Sequence, residues 1–264
     1  MSKRFFSTRQ LNLAKEKCEH ITFSKKPEPT TFYLSNTPIC KTSMVKDLGV
    51  YISSDLKWQS HTNSIRLKAY QKCYLILRTF SSKNIWTLLR LFTTYVRPIL
   101  EAGSIIWSPQ FCKDVQSVEQ VQRYYTKRIF RRCNIPYTSY MDRLAKVNIN
   151  TLEYRRCVAD LTMVYKIVNN LVDIPIDNYF KLFTSPYDTR RHPWCLKLNP
   201  CVSSHHESYF SRRVVPVWNK LPRDLVVSKS LTDFIIKLKE YNLANICNFI
   251  YRSRRLYCDL ISIL

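Results

Sequence analysis

The segment KDVQSVEQVQRYYTKRIFRRC, residues 113–133, decides the fold class of this chain. Its apolar side chains recur every three or four residues, which is the period of an α-helix with one buried face. The predicted buried face holds Val118, Val121, Tyr125 and Ile129. The other face, which we call the basic face, carries the cationic side chains of Arg123, Lys127, Arg128, Arg131 and Arg132. Like charges at this spacing repel each other, so we expect acids or phosphate to compensate for them.

The helical period continues on both sides of this segment. Two upstream helices are predicted from apolar stripes that begin near His61 and Ile85, with Pro98 as a kink or stop in the second. Downstream, Asn150-Thr-Leu-Glu153 and Ser230-Leu-Thr-Asp233 have the form of capping boxes, which open helices. A mainly α-helical chain is therefore expected.

Residues 9–56 have a different character. Short runs rich in β-branched and aromatic residues lie at Ile21–Phe23, Thr31–Leu34 and Gly49–Ile52, and prolines separate them. This pattern predicts the strands of an antiparallel hairpin or a three-stranded unit. Two or three strands are only marginally stable alone, so we expect them to belong to a larger sheet.

The charge of the chain limits the kinds of partner it can have. Lysine and arginine number 42 against 19 acids, which gives a formal net charge of +23. A nucleic acid is the first partner to consider, because lysine and arginine side chains that contact its phosphates release condensed counterions. Aromatic residues form 13% of the chain and supply groups on which nucleobases can stack. The alternative is a solvated surface that is basic without a function.

The cysteines and the amino terminus indicate the compartment. The 10 cysteines are scattered and form no Cys-x-x-Cys pair, so most are expected to be buried and reduced. The first residues, MSKRFFSTRQ, lack the apolar core of a signal peptide, and no apolar run is long enough to cross a bilayer. An intracellular location, nuclear or cytoplasmic, is expected.

Candidate metal and catalytic residues are sparse. The chain has no Asp-Asp pair, whereas two-metal nucleotidyl transfer needs clustered carboxylates. Two distant glycines cannot form a phosphate-binding glycine-rich loop. A candidate for a tetrahedral zinc site is the set His192, Cys195, Cys201 and His205, with His206 adjacent. Its spacing matches no strong zinc-finger pattern, and chance proximity is the alternative.

Several motifs occur in an order that resembles the distal part of LINE-type reverse transcriptases, most closely the jockey group of non-LTR retrotransposons. The resemblance extends to about Leu243. It is carried by Lys46-Asp-Leu-Gly-Val50, Ser54-Asp-Leu-Lys-Trp58 with His61, Tyr95-Val-Arg-Pro-Ile-Leu-Glu101, Trp107-Ser-Pro109, Leu144, Leu152-Glu-Tyr-Arg-Arg156, Phe210-Ser-Arg212 and Trp218-Asn-Lys-Leu-Pro222.

The resemblance implies roles for individual residues. Lys17 corresponds to the lysine of motif D, proposed in related polymerases to protonate the leaving pyrophosphate. Leu48 and Gly49 fall in motif E, the hairpin that grips the primer strand. The pair Arg155 and Arg156 also follows the family pattern and is a candidate for nucleic-acid binding. Trp107 and Trp218 follow it as well, but we expect both to be buried anchors, because large aromatic side chains dominate cores.

The resemblance also implies a domain organisation. Residues 1–58 correspond to a palm edge with its β element, 59–172 to a helical thumb-like bundle, and 173–264 to a loop-rich region after the thumb that ends in a helix. In such enzymes the fingers and the Asp-Asp motif of the palm precede these parts. A chain without them is expected to bind a template–primer of RNA or DNA without sequence preference, and not to polymerise alone. Mg²⁺ is implied for the full-length parent enzyme, and no cofactor is expected for this chain.

Three alternatives remain open at this point. The chain could form an active enzyme with fingers and palm supplied in trans by another chain. It could be a non-catalytic interaction protein that uses its charge at nucleic acid or at an anionic membrane surface. It could also be the product of a decayed transposon reading frame without a selected function.

Overall fold

A computed structural model describes residues 14, 17–23, 31–34, 36–109, 111–183, 192–198 and 209–241. The chain divides into two compact units, residues 1–61 and 62–264. The described residues are mainly helical, and all of their named strands lie before residue 54. The prediction of a mainly α-helical chain with a short amino-terminal β element is confirmed.

The first unit contains six short strands that form three separate pairs. The strands are β1 (Glu19–His20), β2 (Tyr33–Leu34), β3 (Thr37–Pro38), β4 (Cys40–Lys41), β5 (Met44–Asp47) and β6 (Val50–Ser53). Strands β2 and β3 pair antiparallel, as do β5 and β6, but β1 and β4 pair parallel. The predicted strand at Ile21–Phe23 is wrong, and so is a purely antiparallel element. Strand β1 is defined by its pairing with β4, in which Glu19 lies opposite Cys40, and a local pattern cannot reveal a partner that far along the chain.

The β5–β6 hairpin closes through a two-residue turn. Asp47 is paired with Val50, and the residues between them, Leu48 and Gly49, have φ angles of 44° and 88°. Two positive φ angles define a type I′ turn, whose twist matches that of the strands. Glycine adopts this conformation readily, whereas leucine is strained in it. Leu48 is also 99% exposed, so no packing compensates for that strain.

The helices are described from residue 59 onward. Those of the first half are α1 (Gln59–Thr79), α2 (Ile85–Leu91), a π-helical turn (Phe92–Val96), α3 (Arg97–Glu101), α4 (Ser104–Trp107) and α5 (Cys112–Arg132). Those of the second half are α6 (Tyr140–Lys146), α7 (Leu152–Val168), a 3₁₀ turn (Ile176–Asn178), α8 (Phe210–Arg213), α9 (Val215–Trp218), α10 (Arg223–Val226) and α11 (Leu231–Glu240). The helix predicted over residues 113–133 is confirmed as α5.

The irregularity predicted at Pro98 takes the form of a π-helical turn. Helix α2 passes through Phe92–Val96 into α3, and Pro98 lies in the first turn of α3. A proline cannot donate a backbone hydrogen bond, and its ring collides with the carbonyl four residues earlier, which here belongs to Thr94. The wider π-helical turn lies at that carbonyl and lets the chain continue as a helix.

The two predicted helix caps have different outcomes. At Ser230 the N-cap half of the predicted capping box is confirmed, since its hydroxyl accepts a hydrogen bond from the amide of Asp233 at 3.1 Å. The prediction at Asn150 is wrong by one residue, because Thr151 is the N-cap and accepts from the amide of Tyr154 at 3.1 Å. The carbonyl of Asn150 instead accepts a hydrogen bond from the Gln122 side chain at 3.1 Å.

Two hydrophobic clusters form the cores of the second unit. One joins α1, α2, the π-helical turn, α3 and α5 around Phe92 and Tyr125, whose rings stack at 4.9 Å. The other joins α7 to the short helices α8–α11 around Trp218 and Phe234. The second cluster therefore contains residues from both sides of position 173, where the sequence predicted a domain boundary.

The prediction that two tryptophans are buried anchors is confirmed. Trp107 and Trp218 are both fully buried. Their indole N–H groups donate to the carbonyls of Ala102 at 2.6 Å and Trp194 at 2.8 Å. Each ring therefore fills a core while its one polar atom is satisfied.

Candidate nucleic-acid interface

Helix α5 segregates its charges as the sequence predicted. The apolar residues Val118, Val121, Tyr125 and Ile129 are all buried. Arg123, Lys127, Arg128 and Arg131 are exposed. The two acids of the helix, Asp114 and Glu119, are buried near its amino-terminal half. They therefore cannot form ion pairs on the exposed face, which presents positive charge alone.

The basic face is one wall of a groove between α1 and α5. Side chains of Tyr74, Leu77, Arg78, Tyr124, Arg128, Arg131 and Arg132 line it, and we call this set the arginine groove. The sequence pattern of α5 does not reveal the contribution of α1, which adds Arg78 and the exposed ring of Tyr74. A signal was available, because residues 56–100 contain no aspartate or glutamate.

The guanidinium of Arg132 ties the two walls of the groove together. It donates a hydrogen bond to the carbonyl of Phe80 at 2.6 Å and a second to the carbonyl of Leu77. The last carbonyls of a helix have no partner within the helix, and a cation at that end is favourable. Arg132 therefore caps the carboxyl end of α1 and fixes the position of Arg78 relative to α5.

Aromatic rings contact two other arginines of the basic face, and these contacts do not neutralise the positive charge. The guanidinium of Arg128 lies 5.2 Å from the centre of the Tyr124 ring, and that of Arg123 lies 4.5 Å from the Tyr140 ring. Such cation–π contacts orient a guanidinium while leaving its N–H groups available. Among the described residues, no carboxylate forms an ion pair with Arg78, Arg128 or Arg131.

A buried polar network behind α5 supports this face. The Glu119 carboxylate accepts hydrogen bonds from the Tyr140 hydroxyl and from the amide of Leu152, the latter at 3.0 Å. Gln122 donates to the same hydroxyl at 3.0 Å. Burial raises the pKa of Glu119, although these hydrogen bonds and the nearby charge of Arg156 favour the carboxylate. The network fixes α6 and α7 against the inner side of α5.

The predicted arginine pair lies outside the groove. Arg155 forms a bidentate contact with Glu101, in which its second nitrogen lies 2.9 Å from a carboxylate oxygen. That hydrogen bond raises the pKa of Arg155, which keeps the pair charged. Arg156 is only 3% exposed, beside Glu119 in the interior. The geometry of Arg155 supports a role in joining α7 to α3.

The remaining site predictions fall in the first unit. Lys17 is exposed and its amide donates to the carbonyl of Ala14 at 3.1 Å. Leu48 and Gly49 form the tip of the β5–β6 hairpin. In the same hairpin, two residues after the turn, the Tyr51 amide donates to Nδ1 of His61 at 3.3 Å. The roles that the family resemblance gives to Lys17, Leu48 and Gly49 stay predictions.

The zinc candidate is described only in part. His192 and Cys195 are buried, and Nε2 of His192 donates to the carbonyl of Trp218 at 3.1 Å. Burial lowers the pKa of His192, so its ring favours the neutral form. Cys201 and His205 lie outside the described residues. Within the ranges that the structure describes, no three His, Cys, Asp or Glu side chains are grouped as metal ligands.

A buried ion pair that sequence analysis did not identify joins α7 to α8. Two guanidinium nitrogens of Arg213 lie 2.8 Å from the two carboxylate oxygens of Asp160. Arg213 also donates to the carbonyl of Ile105 at 2.6 Å. Each side chain is less than a tenth exposed. This pair ties three separate parts of the second unit together.

Comparison with known proteins identifies one distant relative. An uncharacterized protein of Caenorhabditis elegans is 29% identical to this chain over 131 residues, which is 50% of this chain and 66% of the relative. No family model and no solved structure matches the chain. None of the helices in the described ranges combines the length and apolar character needed to cross a membrane.

Proposed function

We propose that this chain binds RNA or DNA without sequence preference through the arginine groove. The observation that carries the proposal is the convergence of four arginines and two tyrosines from α1 and α5 in a groove whose described lining contains no acid. Guanidinium groups bind phosphate oxygens with paired N–H donors. Contacts of this kind position a nucleic-acid backbone and carry no sequence information.

The family resemblance supplies the context for this proposal. In it, the chain corresponds to the palm edge, thumb and post-thumb region of a jockey-like retrotransposon reverse transcriptase, and the groove would hold the template–primer. The sequence has no Asp-Asp pair, so the proposal assigns binding to this chain and assigns it no step of nucleotide transfer. In the parent enzyme, Mg²⁺ and the palm carboxylates would perform RNA-directed DNA synthesis.

A salt titration tests the binding proposal. The variant Arg78→Gln, Arg128→Gln, Arg131→Gln removes three charges from the groove and leaves the Arg132 cap in place. Its control, Arg223→Gln, Lys229→Gln, Lys239→Gln, removes the same charge from exposed positions on and beside α10 and α11. Fluorescence anisotropy with a labelled 20-nucleotide strand and a 20-base-pair duplex gives the affinity at several salt concentrations.

The groove variant should bind more weakly and with a flatter salt dependence. Each lost phosphate contact lowers the slope of log K against log salt by about 0.7 to 0.9. The control variant should change the slope by less than the groove variant does. Equal changes in the two variants would show that net charge alone determines binding and would remove the groove from the interface. Tighter binding to anionic vesicles than to either nucleic acid would favour the membrane alternative.

A further inference from the structure

Trp86 is an exposed aromatic residue that the core does not use. It is the second residue of α2 and is 59% exposed, whereas Leu88 and Leu89 in the same helix are buried. Tryptophan is on average a highly buried residue, so this exposure calls for an explanation. In the described part of the chain, no aromatic ring stacks on its indole.

The surroundings of Trp86 are positively charged. A shallow depression beside the ring is lined by Asn84, Trp86, Thr87, Leu89, Arg90 and Thr93. Arg90 is exposed one helical turn beyond Trp86, and Lys83 is exposed just before α2. The nearest acids along the sequence are Asp55 and Glu101. An aromatic face flanked by lysine and arginine suits a nucleobase with its phosphates better than it suits an apolar protein segment.

The ring also lies within reach of the arginine groove. Phe80, whose carbonyl Arg132 binds, is at the end of α1 next to the groove. Five residues separate Phe80 from Trp86, so their Cα atoms lie at most about 22 Å apart. A strand stacked as in B-form DNA, with a rise of about 3.4 Å per nucleotide, covers that distance in roughly six nucleotides, and a more extended strand needs fewer. One strand can therefore contact both places.

We propose that Trp86 is a stacking site for an unpaired base of a strand whose phosphates lie in the arginine groove. The exposed cationic side chains of Lys83 and Arg90 bind the phosphates on either side of the stacked nucleobase. The site rests on the proposed nucleic-acid binding and adds a preference to it: a ligand with single-stranded nucleotides binds more tightly than a blunt duplex. Within a duplex, the faces of each nucleobase are covered by the base pairs stacked above and below it, so a blunt duplex gains little from the ring.

Substitution of Trp86 tests this preference. The variants are Trp86→Ala, which removes the ring, and Trp86→Phe, which keeps an aromatic face. Tyr137→Ala is the control, because Tyr137 is an aromatic residue that is 83% exposed on a different segment. Each variant is titrated with a 20-nucleotide single strand, a blunt 20-base-pair duplex and a 20-unit abasic strand. Circular dichroism confirms that each variant is folded.

Trp86→Ala should weaken binding to the single strand by about 5- to 100-fold, the range expected for loss of one stacked base. Binding to the duplex and to the abasic strand should change by less than twofold. Trp86→Phe should retain most of the affinity, and Tyr137→Ala should retain all of it. Unchanged single-strand affinity in Trp86→Ala, or equal losses on all three probes, would overturn the stacking site alone. Failure of the wild-type chain to bind any probe would overturn the proposed function together with it.

Discussion

Breaking the Asp160–Arg213 pair should destabilise the second unit strongly. Replacing Asp160 by Leu leaves a guanidinium that is almost fully buried and has lost both carboxylate oxygens at 2.8 Å. Removing one partner of such a pair costs about 3–5 kcal/mol, because the remaining charge stays desolvated. A unit of about 200 residues loses roughly 2–4 °C of Tm for each kcal/mol, so a fall in Tm on the order of 10 °C is expected.

The assay is a double-mutant cycle of Asp160→Leu, Arg213→Met and the two together, with unfolding followed by circular dichroism in urea. The double variant buries no charge, so it should recover most of the stability that either single variant loses. Part of the loss will remain, since the carbonyl of Ile105 also loses the hydrogen bond from Arg213. A loss below about 1 kcal/mol in Asp160→Leu, or no recovery in the double variant, would refute a structural role for this pair.

Three further predictions concern the cap, the buried acid and the hairpin. Arg132→Gln should lower the free energy of unfolding by about 1–2 kcal/mol in a urea titration, since two hydrogen bonds from a charged donor are lost and the group is partly exposed. The pKa of Glu119 is raised in the folded chain, so the folded state favours the protonated carboxyl. The stability from this preference is fully present below pH 4.5, the ordinary pKa of glutamate, and is lost as the pH rises through the folded-state pKa. Urea midpoints between pH 4 and 7 should therefore fall for the wild type relative to Glu119→Gln as the pH rises, and a constant difference would contradict this. Leu48→Asn should slow hydrogen exchange in β5 and β6, because asparagine tolerates a positive φ and the free energy of opening the hairpin should rise by about 1 kcal/mol. Faster exchange would show that Leu48 is not strained.

The helical part of the fold could be predicted because its signal is local. The four apolar residues of the α5 stripe lie at helical spacing, and all four are buried in the structure. The cap at Ser230 was predictable for the same reason, since one side chain and an amide three residues later define it. The cap assigned to Asn150 failed because Asn150 and Thr151 are both good capping residues. The contact of Gln122 with the Asn150 carbonyl lies far away in sequence.

The candidate site could be predicted only in its α5 half. The basic stripe from Arg123 to Arg131 is a local pattern, but the opposite wall depends on how α1 packs on α5. The Arg132 cap joins residues more than 50 positions apart. Arg155 and Arg156 are a site that the sequence suggested and that the fold does not bring to the groove. Sequence alone gives two adjacent cations, and only the fold shows that one is paired with Glu101 and the other is buried.

The Arg132 cap affects how mutagenesis of this surface must be interpreted. Arg132 lines the groove and also holds the last turn of α1, so substituting it alters the scaffold and the ligand contacts together. A weaker-binding Arg132 variant would thus be ambiguous without a parallel stability measurement. Arg78 and Arg131 make no such internal bond among the described residues, so their substitution reports on recognition directly.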